Sequence, residues 1–149
     1  MSRNYTTRRE GIVLALTEKL KEIDGSGDFL TNIYGNVSPT LKFWDEIDEF
    51  PAVHLNAGSE SRIYQGGGFK ERYLNISIKV YVKQEEAWKK LGAILEDIET
   101  LLEDSLNLQY TDGRGNTCTI QLITVLSIDT DEGVLEPLGV GEMSIEVRY

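Results

Sequence analysis

The sequence predicts an α+β domain: a mixed, mostly antiparallel sheet, two helices packed on one of its faces, and a long Gly-tipped β-arm. Three observations carry this. Apolar residues recur at helical spacing in two segments, near 7–24 and 84–104. Between them, Lys70 to Lys83 alternates strictly between apolar and polar residues. The elements run helix, two or three strands, helix, two or three strands, an order that favours helices on one side of an antiparallel sheet. A chain of 149 residues has room for one domain, spanning 1–149.

The first helix opens on Thr7-Arg8-Arg9-Glu10, a capping box. Ile12, Val13, Leu16, Leu20 and Ile23 then make one apolar stripe. Gly25-Ser26-Gly27 ends it, because glycine accepts the left-handed conformation that closes a helix. Phe29 to Val37 is a strand candidate, interrupted by Ser38-Pro39-Thr40. An acidic segment, Trp44 to Pro51, leads into a short strand at Pro51 to Asn56, with proline tolerated at its first position. Gly58 to Arg62 predicts a turn. Ile63-Tyr64-Gln65 passes through Gly66-Gly67-Gly68 into the Lys70–Lys83 strand, so two strands meet across a Gly-rich tip. In that strand Leu74, Ile76, Ile78, Val80 and Val82 face one way. Tyr73, Asn75, Ser77, Lys79, Tyr81 and Lys83 face the other.

The second helix, Gln84 to about Asp104, carries a broad stripe of Ala87, Leu91, Ile94, Leu95, Ile98, Leu101 and Leu102. Asn107 to Tyr110 is extended, and Thr111 to Asn116 is a turn rich in Asp, Asn and Gly. Thr117 to Asp129 predicts one strand, with Cys118, Ile120 and Leu122 in phase. Asp129 to Gly141 is a loop. Glu142 to Tyr149 closes the chain as a strand, with Met143, Ile145, Val147 and Tyr149 on one face.

Lys and Arg number 15 and Asp and Glu 25, a formal net charge of −10. Such a surface argues against binding nucleic acid phosphates or an anionic membrane. One cysteine and one histidine leave no intrachain disulfide and no cysteine-based zinc site. Residues 1–10 hold no apolar core or small-residue cleavage site, and no apolar run nears 18 residues. Neither a secretory leader nor a membrane span is expected, and synthesis in a cytoplasm is. Asn4, Asn36 and Asn75 head Asn-x-Ser/Thr triplets, which are without consequence in a chain that is not secreted.

Catalytic constellations are not visible. His54 faces away from Val53 and Leu55, as a solvent-facing or interface histidine does. Cys118 is in phase with Ile120 and Leu122, as a small buried hydrophobe. Asp129-Thr130-Asp131-Glu132-Gly133 begins like a calcium loop. It then places Gly133, Val134 and Val140 where that loop needs an oxygen ligand, a glycine and a glutamate. Gly66-Gly67-Gly68 lacks the third glycine (residue 71 is Glu71) and the following helix of a dinucleotide fingerprint. No catalytic residue, cofactor or metal is expected. The acids instead form two groups: Asp45, Glu46, Asp48 and Glu49, and Asp129, Asp131, Glu132, Glu136 and Glu142. Such groups make a solvated acidic face, or an electronegative surface that repels nucleic acid or meets a basic partner.

Five features in order are similar to the tail terminator (tail completion, or head-to-tail joining) proteins of long-tailed bacteriophages. They are the helix start Arg8-Arg9-Glu10-Gly11-Ile12-Val13; Phe50-Pro51-Ala52-Val53 followed by Gly58-Ser59-Glu60; the strand Tyr73 to Lys83 running into the helix Leu91 to Leu102; Ser127 to Gly133; and Glu136-Pro137-Leu138-Gly139 leading into Met143 to Tyr149. The resemblance spans nearly the whole chain. It implies a virion protein of the tail or neck, assembled in the host cytoplasm and not an enzyme. It implies a hexameric ring of this chain on the tail tube protein, ending tube growth and meeting head-closure or neck proteins, with genomic DNA passing through without specific binding and no membrane contact. Six copies would carry about −60 formal charges, an acidic lumen that repels DNA; like charge also opposes assembly of the free subunits.

Within that expectation the arm residues Ile63, Tyr64, Gly66, Gly67, Gly68, Phe69 and Tyr73 face a neighbour or the tube, unless the aromatics only cover the sheet. Asp129, Asp131 and Glu132, then Asp45, Glu46 and Asp48, face the lumen or the head. A tube subunit or a neck connector remains open, and so does a small acidic ligand-binding module or enzyme. A DNA-mimicking inhibitor would need acids spaced like phosphates on one face, and theirs are scattered.

Overall fold

A computed structural model describes residues 7–105 and 107–149 of the chain. The Asn4 triplet and the first six residues of the N-terminal segment lie outside the described residues. The elements are α1 (Arg8–Leu20), β1 (Val37–Ser38), β2 (Ala52–Tyr64), β3 (Lys70–Lys83), α2 (Ala87–Glu103), β4 (Gln109–Thr111), β5 (Thr117–Thr119), β6 (Leu122–Thr130) and β7 (Leu138–Arg148). Five strands form one sheet in the order β1-β2-β3-β7-β6, and β4-β5 form a separate hairpin. Among the described residues only the β1–β2 pair of that sheet is parallel.

Alternation builds the core. Leu55, Ile78 and Met143 are buried in one row that ends at the exposed Ile128 on β6, and Ala57, Ile76, Ile145 and Val125 stand in the next. Both helices lie over this face, with Ile12, Leu16, Leu20, Leu91, Ile94 and Ile98 fully buried against it. Two glycines in β7 let α2 approach closely. A Cβ at Gly139 would stand 3.1 Å from the Cβ of Ala87, and one at Gly141 3.0 Å from Leu91 Cδ1. Gly11 does the same for α1, where a Cβ would meet the carbonyl oxygen of Thr111 at 2.5 Å. The opposite sheet face carries Asn75, Ser77, Lys79, Ser144 and Glu146, and neither α1 nor α2 lies over it.

Several boundaries differ from expectation, each for a local reason. Thr7 caps α1 through its Oγ1, which accepts from the Glu10 amide at 3.2 Å, but the helix ends at Leu20. Ile23 reaches the core from the turn beyond, where Asp24 Oδ1 accepts from the Ser26 amide at 3.0 Å. Residues 29–36 form no strand, because the Leu30 and Thr31 amides both donate to the buried Asp97 carboxylate at 2.8 Å rather than to a sheet. The turn expected at Gly58 to Arg62 is a bulge within one continuous strand, with the register shifting between Ala57 and Glu60.

The strand expected from Thr117 to Asp129 is divided between two sheets. The Ile120 amide bonds to Leu108 and the Gln121 amide to Arg148, so the chain changes partner there. The closing strand starts at Leu138 rather than Glu142, its glycines serving helix packing instead of a loop. His54 faces away from Val53 and Leu55 as expected, yet it is buried and not solvent-facing. Segment 39–43 covers it, Nδ1 donates to the Thr40 carbonyl at 2.8 Å, and the ring stands edge-on to Tyr81. Cys118 is half-buried against the edge of the core.

Candidate functional site

The β2–β3 hairpin carries the sheet past its neighbours. The last β7 pairing to β3 is Arg148 with Tyr73, whereas β2 and β3 continue through Arg62–Arg72, Ile63–Glu71 and Tyr64–Lys70. A one-turn 3-10 segment, Gly66–Gly68, closes the tip. Gly67 and Gly68 hold φ of 81° and 82°, a left-handed region that glycine enters without steric cost. Residues 61–70 are all exposed, and Tyr64 and Phe69 keep 76% and 72% of their surface in solvent.

The arm therefore brings together Ile63, Tyr64, Gly66, Gly67, Gly68 and Phe69. Tyr73 is elsewhere: half-buried beside β7, its hydroxyl donates to Glu71 at 2.7 Å and Arg148 stacks over its ring. Arg148 also pairs with Glu71.

At the arm's base, on the helix side, lies a groove of about 550 Å³. Its walls are the arm, the start of α1 and the β4–β5 hairpin. Six cations line it, Arg8, Arg9, Arg62, Lys70, Arg72 and Arg114, against two carboxylates, Glu60 and Asp112. Burial pushes the Glu60 carboxyl up, but hydrogen bonds from Arg62 and Tyr149 and the charges of Arg62 and Arg9 outweigh it, and the group ends below the usual range. Tyr149 donates to Glu60 at 3.0 Å, and its own hydroxyl is pushed up, by burial first and by that carboxylate second. Amides of Asn116 and Arg114 hold the Asp112 carboxyl low. Burial raises the Tyr110 hydroxyl to about 12, so it stays neutral.

The two acidic groups sit at the other end of the same sheet. Ala52, Tyr81 and Val140 share one row, and Asp131 bonds to Val140 at its end. Asp45 and Glu46, in a 3-10 turn, and Asp48 precede β2 at that end and are exposed. Asp129 is exposed on β6, directly across from Glu142 of β7. Glu132 is exposed at the turn with φ of 56°. Asp131 is used internally: its carboxylate accepts from the Leu135 amide at 3.1 Å and the Val140 amide at 3.2 Å. Among the described residues no three His, Cys, Asp or Glu side chains gather into a metal-binding group, and no helix is long and apolar enough to cross a membrane.

Sequence reasoning located the arm and both acidic groups but missed the basic groove. Its cations come from four separate stretches (8–9, 62, 70–72 and 114), so no local spacing announces them.

The chain can be set beside known proteins. A family model described as Bacteriophage Tail Tube Terminator Protein matches residues 6–149. The tail tube terminator protein p142 of Escherichia phage T5 is 34% identical, over 95% of this chain and 92% of that protein. A chain in the virion of a native gene transfer agent particle has the same fold, with a TM-score of 0.59 at 11% identity over 93% of each chain.

Proposed function

We propose a ring on the end of a phage tail tube as the working form of this chain, which belongs to the bacteriophage tail tube terminator family. It is a structural protein of the virion tail. In this reading its copies form a closed, hexameric ring on the tail tube protein, stop its growth and offer a surface to head-closure or neck proteins, after assembly in the host cytoplasm.

The arm is the observation that carries the reading. A lone copy leaves Ile63, Tyr64 and Phe69 in water at the tip of a two-stranded extension. Aromatic residues exposed together in this way mark a protein contact. Strand β6 adds a second contact. Among the described residues it ends the sheet with an unpaired edge, and Leu122, Leu126 and Ile128 on it remain exposed. An uncovered edge of this length invites strand addition from another chain.

DNA passes through the lumen without being held. The sheet face that no helix covers supplies that lining, with Asp129 beside Glu142 and Glu146 further along β7. Glu132 adds charge at the loop, whereas Asp131 is engaged within it. Fixed negative charge there repels phosphate.

Mass photometry of the purified protein over a salt series, with negative-stain images, tests the ring. Six copies of 16.8 kDa give a closed particle of about 101 kDa. Long tubes would transfer the protein to the tube-subunit class. A monomer that also fails to cap purified tail tubes would overturn the reading. Charge reversal of Asp129 and Glu132 should impair DNA passage or head joining while sparing the fold; unaltered phage assembly would remove them from the lumen.

A further inference from the structure

We infer that the basic groove at the base of the arm is a docking site for the acidic segment 41–49 of a second copy of this chain. The inference rests on the ring reading and specifies how neighbouring copies meet. A chain of net charge −10 concentrates six cations around one groove and leaves the rest of its surface strongly acidic. The groove lies at one end of the sheet and the segment before β2 at the other. One copy therefore presents two complementary ends and cannot satisfy one with the other.

The groove has unspent charge. Arg9 and Arg62 are engaged with Glu60, at 3.6 Å and 2.5 Å. Arg72 stacks over Tyr149 and Lys70 over Tyr64, each held by a ring rather than by a carboxylate. Among the described residues Arg8 and Arg114 have no carboxylate within ion-pair distance. The start of α1 opens onto the same space, and its dipole adds positive potential there.

Segment 41–49 matches this in two ways. Asp45, Glu46, Asp48 and Glu49 are exposed, and none of their carboxylates takes part in an ion pair among the described residues. Just before them Leu41 and Phe43 are exposed, Phe43 at 76%. At the groove's edge the exposed Tyr64 ring lies under Lys70, one of the lining cations. Carboxylates thus meet guanidinium and ammonium groups while apolar side chains meet apolar side chains. A segment of the chain's own acidic loop from Asp131 to Glu136 fits less well, because Asp131 and Glu136 already accept backbone hydrogen bonds. Duplex DNA would suit the cations but not the net charge, which opposes its approach.

A head-to-tail contact between different patches closes into a ring when the rotation per copy completes a turn, and otherwise runs on as a filament. It also explains how subunits that repel overall can touch: the contact is local and of opposite sign.

The test is a charge swap read by mass photometry and negative stain. Lys70→Glu with Arg114→Glu reverses two exposed groove cations without removing an ion pair present in the structure. Glu46→Lys with Glu49→Lys reverses the segment. Each pair should lower the assembled fraction at least tenfold. An equimolar mixture of the two variants, and the single chain carrying all four changes, should assemble again. Lys19→Glu with Lys21→Glu, the same change in net charge at the end of α1 and away from the groove, should leave assembly alone.

Rings unaffected by the groove pair would overturn this contact and leave the ring reading standing. Filaments abolished by the groove pair and restored by the swap would sustain the contact and overturn the ring. Loss without restoration by the swap would count against segment 41–49 as the occupant. A wild-type monomer at every salt and protein concentration would overturn the contact. Wild-type retention of a 30-base-pair duplex that Lys70→Glu with Arg114→Glu removes would give the groove to phosphate instead.

Discussion

The two halves of β3 share one alternating pattern and have opposite surroundings. From Leu74 to Val82 every second side chain is buried beneath the helices. From Lys70 to Arg72 the strand runs beyond the last β7 pair and its strand partner is β2. An isolated two-stranded hairpin is marginal in water, so the arm holds its shape as an outgrowth of the covered sheet. The difference separates two jobs along one strand. Fold stability resides in the covered half, and the protruding half is free to carry contacts. Substitutions in the body should then act on unfolding, and substitutions in the arm on assembly.

The largest effect expected in the body is at Asp97. This carboxylate is 1% exposed and accepts from the Leu30 amide, the Thr31 amide and the Thr31 hydroxyl. Asp97→Ala leaves two amides without partners and frees the segment after α1. It should cost about 3 kcal/mol, read as a lower midpoint in urea with an unchanged slope. A loss below about 1 kcal/mol would mean that water replaces the carboxylate and that the body is looser than its burial implies.

Gly11→Ala comes next. Its Cβ would clash with a backbone oxygen, the Thr111 carbonyl, which cannot swing aside as a side chain does. Either α1 or the β4–β5 hairpin must shift, at a cost of about 2 kcal/mol. Because α1 and the hairpin are two of the groove's walls, this variant should also weaken assembly. A stable variant with intact assembly would show that the groove tolerates displacement of its walls.

These two positions also show why the sequence was legible in part. Period-two alternation announced β3 and its buried side residue by residue, since each alternate side chain reports its own surroundings. Helical spacing did the same for α2. What escaped was decided between distant segments. The stretch 29–36 is apolar enough for a strand, yet its amides are held by a carboxylate some 66 residues away. Gly58 and Ser59 look like a turn, and only pairing with β3 makes them a bulge. The arm and the acidic ends were visible because each is one contiguous run. The groove was not, because its cations converge only after folding.

Glu60 stands where the body meets the arm and tests that boundary. Its folded-state carboxyl lies below the ordinary 4.5, so its contribution to stability is present above that value. That contribution is lost as the pH falls through the folded-state value. Glu60→Gln should therefore be less stable than wild type at pH 7, by less than about 1 kcal/mol, and the gap should narrow as the solution is acidified through the folded-state value. A gap that acid leaves unchanged would assign the effect to packing at the arm's base rather than to charge.

The smallest effect on the fold is expected at the tip itself. Ile63 and Phe69 are 51% and 72% exposed, and among the described residues neither has a strand partner outside the arm. Ile63→Ser with Phe69→Ser removes apolar surface that the isolated chain keeps in water, so the urea midpoint should move by no more than about 0.5 kcal/mol in either direction. The same variant should lose most of its ring fraction in mass photometry, and it should no longer block elongation when added to growing tail tubes. The two readouts must come apart. If stability falls together with assembly, the tip packs on the body and the halves of β3 are not distinct. If neither changes, the apolar tip is a solvent-exposed hairpin end, and the neighbouring copy is held by the groove and the β6 edge alone.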